Sequence, residues 1–397
     1  MTFNFSNFLK RSRKLKDFLI LRINSSEAQG LIVKKSEKNF YVSNFSSERF
    51  DRFGVFQSRD FERDLLKHTI EKILKGLSLE KGALPGILLN PSPEVFKGRI
   101  AKIDYERKNP KREISQKEKE TIINSVLSQA EKKAKEEVSN VFGCPVNEFQ
   151  TLERKIVERK ISGYSVNNIL GHKGKFFEFR VLTLFLFKNI SGILYDLEEI
   201  LDSRDFRIIH PAQGLTSWLS GKNNFSGMFV EIGPNFSQVF LIEKGILKWM
   251  TEIDLGGNIF NRALSEQLGL SDREAENLKE RFGDKKFSRG TGKIVEEILS
   301  KPLTTWFSRL KKELKHAQYE FHFVFPGEIY LFGQSSLLLI IKKILRRGDW
   351  DHLAILESPK VSFLSPCDLP IKDKSGLLKG PQETGISLLS LALKEND

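Results

Sequence analysis

The chain has 397 residues, 40% of them hydrophobic and 29% charged, enough for two to four packed units with sizeable cores. Two cysteines, Cys144 and Cys367, and six scattered histidines make neither a disulfide framework nor a metal-type cluster, and no apolar run reaches the ~18 residues of a spanning helix. A formal charge of +13 allows attraction to nucleic acid or to an anionic membrane.

The opening Phe3, Phe5 and Phe8 are interleaved with polar residues and followed by Lys10, Arg11, Arg13, Lys14 and Lys16, which is not a secretory signal. Three readings stay open for this segment: an edge strand, a disordered tail, or a short amphipathic helix on a membrane surface. Basic blocks at 107–112, 132–133, 311–312 and 346–347 are dispersed along the chain. No helix-turn-helix, zinc finger or aromatic-basic stacking motif accompanies them, so they read as a solvated surface and no specific nucleic-acid partner is expected.

Residues 101–187 read as an inserted small subdomain. Ser115 with Glu118 is a capping-box pattern, and the apolar stripe Ile122, Val126, Ala130, Ala134, Val138 and Val141 predicts a helix to about 141. After it, 176–187 (FFEFRVLTLFLF) alternates like a strand. At 228–247, MFVEIGPNFSQVFLIEKGIL reads as strand, tight turn over Gly233 to Asn235, return strand and a second turn at Lys244 and Gly245. Gly256 and Gly257 then open a helix with apolar residues at 259/260, 263/264 and 268. Helices over 272–282 and 294–307 are separated by a polar 283–292 loop. IYLFGQSSLLL, at 329–339, is a strand broken by Gly333 and Gln334 before a helix to about 344, and Gly385 opens a closing apolar helix. Glycine turns followed by helix N-termini can converge backbone N–H groups on a phosphate, although glycine also marks ordinary loops.

In this order the segments resemble the actin-like ATPases, and within them the bacterial cell-division protein FtsA and the pilus-assembly protein PilM. VEIGPNFSQVFLIEKG resembles the second phosphate motif, IYLFGQSSLL the adenosine-side motif, and ILRINSSEAQGLIV, at 20–33, the first phosphate motif. The insertion resembles the small subdomain of FtsA. The resemblance implies an α/β, two-lobed actin-like (ribonuclease-H-like) fold. Residues 1–100 with 188–225 would form the first lobe and 226–397 the second, with a helical excursion at 258–318 and a last helix returning to the first lobe.

The same resemblance assigns Arg22, Asn24, Ser25, Glu231, Gly233, Asn235, Ser237, Gly256, Gly257, Gly333 and Gln334 to nucleotide-facing positions. Several depart from the family pattern. Arg22 stands where a carboxylate is usual, Asn24 and Asn235 replace turn glycines, Pro234 removes a backbone donor, and Gln334 replaces the second adenosine-side glycine. Arg22 removes a carboxylate that would help hold Mg²⁺, and a pair between Arg22 and Glu231 would take the place of metal and phosphate. The expectation is therefore an actin-like adaptor with no catalytic residues and no cofactor, or weakly bound ATP with Mg²⁺. It would be cytoplasmic or peripheral at the inner membrane face. The leading role is a cell-division adaptor whose partner is the tubulin-like division protein. The alternative is a pilus-assembly adaptor bound to the tail of a bitopic membrane protein. Self-association stays open, as does an active phosphoryl-transfer ATPase of the same superfamily.

Overall fold

The computed structural model describes residues 17–36, 39–50, 63–80, 84–188, 191–202, 206–283 and 289–393. The opening Phe3, Phe5 and Phe8, the basic run through Lys16, and residues 284–288 of the expected 283–292 loop lie outside them.

Two sheets are built on one plan. In the first, β1 (Asp17–Ile23) pairs antiparallel with β2 (Glu27–Ser36) and parallel with β4 (Gly86–Pro91); β3 (Asn39–Arg49) and β9 (Phe206–Ile208) lie outside these. In the second, β10 (Gly227–Ile232) pairs antiparallel with β11 (Ser237–Glu243) and parallel with β13 (Glu328–Phe332), flanked by β12 (Ile246–Ile253) and β14 (Lys360–Phe363). The central strands are buried on both faces, as their continuous apolar runs require. The duplication puts Arg22, near the end of β1, and Glu231, near the end of β10, in equivalent positions. They sit at the carboxyl ends of two sheets, where open α/β folds place ligands.

The first sheet is covered by α1 (Arg63–Gly76), whose Leu66, Ile70, Ile73 and Leu74 enter one core with α3 (Ser191–Leu201) and α4 (Pro211–Leu219). His210 starts α4: its Nδ1 accepts the Ala212 N–H at 3.1 Å, its own N–H donates to Gln213 Oε1 at 2.7 Å, and Pro211 follows where no donor is needed. Because Nδ1 accepts, the proton sits on Nε2, and Gln238, 3.2 Å away, must present its carbonyl oxygen there.

Between β4 and β9 the chain makes a third sheet, ordered β5 (Phe96–Glu106), β8 (Phe176–Phe187), β6 (Phe149–Ile161), β7 (Tyr164–Ser165) and backed by α2 (Gln116–Phe142). Ser115 Oγ caps α2 by accepting the Glu118 N–H at 3.3 Å, and Gly143, at φ 65°, ends it in the left-handed region. The stripe from Ile122 to Val138 is buried as its spacing predicts, while Val141 is exposed. This unit docks on β12 of the second sheet. Glu158 holds Lys248 at 2.7 Å and Arg180 at 3.2 Å, Arg99 pairs with Glu252, and Lys133 of α2 reaches Glu320 at 2.7 Å.

The second lobe carries α5 (Asn258–Leu268), α6 (Asp272–Gly283), α7 (Arg289–Phe321) and α8 (Leu339–Arg347). The expected 294–307 helix is longer, running unbroken from Arg289 to Phe321 through Pro302. Val295, Leu299, Leu303, Trp306, Leu310, Leu314, Ala317 and Phe321 are all buried on one face. At ~1.5–3 kcal/mol for each large side chain, that burial outweighs the ~3 kcal/mol cost of an interior proline. Finally β15 (Lys372–Asp373) joins β3, and α9 (Thr384–Leu391) returns to the first lobe, setting Ile386 and Leu389 against Phe18, Ile20 and Val42. Among the described residues no helix is long and apolar enough to cross a membrane.

Candidate functional site

The cleft between the two sheets is closed by the chain's own side chains. Arg22 Nη2 donates to Glu231 Oε1 at 2.5 Å, joining the lobes through two residues only 7% and 2% exposed. Glu231 Oε2 is buried and has no hydrogen-bond partner. Gly385, in the first turn of α9, presses on this pair so closely that a Cβ there would overlap the Arg22 guanidinium and the Glu231 carboxylate. The pair therefore has a lid as well as two walls.

The turn after β1 is closed from within. Asn24 Oδ1 accepts the N–H groups of Ser26 at 2.9 Å and Glu27 at 2.8 Å, while the Asn24 N–H donates to the Glu27 carbonyl at 3.0 Å. The Asn24 side chain thus consumes turn donors that a phosphate would need. Ser25, beside it, is buried against Glu94. Burial pushes the Glu27 carboxyl above its ordinary value, against the pull of Arg22 and Arg49.

The second turn is equally self-satisfied. Gly233 N–H donates to the Phe236 carbonyl at 3.0 Å, Gly257 N–H to the Gly233 carbonyl at 2.8 Å, and Asn258 N–H to the Pro234 carbonyl at 2.8 Å. Gly256 and Gly257 are glycines because of crowding: a Cβ would strike the Gly233 and Pro234 carbonyls at the first and the Ser335 hydroxyl at the second. Asn235 faces the first lobe, donating to Glu94 Oε1 at 3.0 Å and accepting from Asn258 Nδ2 at 2.7 Å. Ser237 turns into the second-lobe core instead, donating to the Leu255 carbonyl at 2.7 Å and accepting from Trp306 Nε1 at 2.9 Å.

In the turn after β13, Gly333 takes φ 94° beneath the Ile232 backbone and donates its N–H to the Pro381 carbonyl at 2.9 Å. Gln334 reaches across the cleft, where its Oε1 accepts from Ser26 Oγ at 3.2 Å. What remains open is a cavity of about 350 Å³ lined by Glu27, Arg49, Lys279, Gln334, Ser335 and Glu383. Burial pushes the Lys279 ammonium down to about 8, although Glu276 and Glu280 favour its charge. The same two carboxylates hold Arg49 of β3, Glu276 at 3.5 Å and Glu280 closer, so α6 is tied to the first lobe as well.

Sequence reasoning missed Glu94 and Lys279, and took Gly385 as a helix opening without its contact to the ion pair. No motif marks the first two; only the approach of α6 and the β4–β5 turn brings them to the cleft. It also missed Lys97, buried where the insertion meets both lobes. Its Nζ lies 3.9 Å from the Phe142 ring centre and 4.2 Å from that of Phe236, has no hydrogen-bond partner, and is pushed by burial to about 8 against the attraction of Glu252.

These residues do not fit a magnesium-bound triphosphate. A guanidinium stands at the end of β1, where the resemblance implies a carboxylate, the glycine-turn donors named above already have partners, and α9 fills the space above the ion pair. The two duplicated sheets, the inserted subdomain and the interlobe cleft define a two-lobed protein of the actin-like ATPase fold. Among solved structures, a chain of the PilM-PilN type IV pilus biogenesis complex matches it at TM-score 0.65 with 14% identity, covering 96% of this chain and 98% of that one. The ethanolamine utilization protein EutJ from Carboxydothermus hydrogenoformans matches at TM-score 0.46 and 9% identity, over 98% of this chain and 96% of its own. A Bacteroides thetaiotaomicron protein of actin-like ATPase fold matches at 0.42 and 11%, over 92% and 94%. No family model and no curated protein matches the chain.

Proposed function

We propose that this chain is a pilus-assembly adaptor of the PilM kind, a scaffold that binds the cytoplasmic tail of a membrane protein and works without turning over nucleotide. One observation carries the reading: the likeness to the PilM-PilN complex extends over nearly the whole of both chains, insertion included. The buried Arg22–Glu231 pair favours the scaffold role, because it joins the lobes where a hydrolytic cycle would have to part them. On this reading the protein sits at the inner membrane face through its partner. It has no catalytic residue, and any ATP is bound weakly.

The test is recovery of partners from the native cell with the tagged full chain. Co-recovery of a bitopic pilus protein, with direct binding of its synthetic cytoplasmic tail to the purified chain, is the expected result. Recovery of the tubulin-like division protein in its place would overturn the pilus reading in favour of cell division.

A further inference from the structure

One surface of the molecule is used by nothing described above: the far end of the inserted sheet. Two loops meet there through four backbone hydrogen bonds. Arg107 N–H donates to the Lys175 carbonyl at 2.8 Å, Gly174 N–H to Pro110 at 3.1 Å, Ile114 N–H to His172 at 3.0 Å and Gly171 N–H to Ile114 at 3.0 Å. Arg107 pins them from beneath, buried, with Nε and Nη2 on the two Glu118 carboxylate oxygens at 2.7 and 2.8 Å and Nη1 on the Arg112 carbonyl at 3.0 Å. The tip is therefore a built surface.

Segments far apart in sequence thereby bring Lys108, Lys111, Arg112, Lys173 and Lys175 together as exposed cations. Two exposed carboxylates pair within this group, Glu106 with Lys175 at 2.9 Å and Glu113 with Lys173 at 3.7 Å. Beside the cations stand three large apolar side chains, Tyr164 at 79%, Phe176 at 57% and Leu170 at 41% exposure. Tyr164 belongs to the short edge strand β7, Phe176 begins β8, and buried Ile169 fixes the loop that carries Leu170. At the opposite end of α2, Phe142 packs on Phe236 of the second lobe. The tip is a whole 27-residue helix away from that junction, roughly 40 Å.

We propose that this tip is a contact surface for an anionic membrane. Net positive charge meets lipid phosphates and carboxylates, while Tyr164, Phe176 and Leu170 enter the headgroup boundary, where aromatic and aliphatic side chains are both accommodated. Nucleic acid would use the same cations but has no place for Leu170, which offers no flat face for a base, and Phe176 already carries Lys175 over its ring at 4.9 Å. Membrane contact here does not rest on the protein partner proposed above, since bare vesicles contain none.

Flotation of the full-length protein with vesicles of phosphatidylglycerol and phosphatidylcholine, against phosphatidylcholine alone, tests the proposal. At low salt the protein should float with the anionic vesicles only. Lys108→Gln/Lys111→Gln/Arg112→Gln should lower partitioning roughly a hundredfold, about fivefold per charge, and Tyr164→Ser/Phe176→Ser should weaken it further with a steeper salt dependence. In the unmodified protein, hydrogen exchange at 106–113 and 162–176 should slow when anionic vesicles are added. Absence of flotation, flotation unchanged by both variants, exchange protection elsewhere in the chain, or tighter retention of a short DNA duplex than of vesicles would each overturn it.

Discussion

Arg22 and Glu231 lie 209 residues apart in sequence and 2.5 Å apart in space. Their pairing was legible because both occupy the same strand-end position in a duplicated lobe and carry opposite charges. The role of Asn24 was not. Its replacement of a glycine suggests lost flexibility, but which N–H groups its carbonyl oxygen takes depends on the turn's backbone geometry. With both partners of the pair buried, removing one is expected to cost more than removing both. Arg22→Met should destabilise the protein by about 3–5 kcal/mol because it strands the Glu231 carboxylate, whereas Arg22→Met/Glu231→Met should recover most of the loss. Urea unfolding of the wild type, both single variants and the double variant measures the coupling. A double variant as unstable as the single Arg22 variant would show that the pair does not join the lobes as described.

At the scale of elements, the sequence displayed whatever depends on local periodicity: the β10–β11 hairpin, the capped α2 and its stripe, the glycine-opened α9. Its account of α7 fell short at the start because Gly290 and Gly292 are local helix breakers, and at the end because the burial of Leu310, Leu314 and Phe321 is long-range. The contacts of α9 were likewise invisible in the chain. Gly214 of α4 meets Leu388 so closely that a Cβ would fall on its carbonyl oxygen, and Gly385 meets the ion pair in the same way. Two glycines thus set how deeply α9 enters the cleft. Gly214→Ala and Gly385→Ala should each destabilise by about 1–3 kcal/mol, since overpacking here moves backbone and buried charge. Thermal unfolding of the two variants checks this, and an unchanged Tm for either would mean that α9 tolerates a looser seat.

Across the whole molecule, buried titratable groups make closure sensitive to pH at both ends of the range. Burial pushes His210 down to about 4 from 6.5, so between these values the unfolded chain binds more protons and stability falls as the pH drops. Lys97 and Lys279, each pushed by burial from 10.5 to about 8, carry their penalty in full below 8 and lose it as the pH rises toward 10.5. Lys97→Met should therefore raise stability at neutral pH by about 3 kcal/mol and flatten the rise between pH 8 and 10, as read by urea midpoints across that window. A variant less stable than wild type at pH 7 would mean that the Phe142–Phe236 cage outweighs the burial penalty. The central proposal is that a joint between the lobes stands in this cleft where nucleotide phosphate would otherwise bind. Calorimetric titration with ATP, with and without Mg²⁺, tests it most directly. The account predicts a Kd poorer than about 100 µM that Mg²⁺ does not change, and micromolar, Mg²⁺-dependent binding would contradict it.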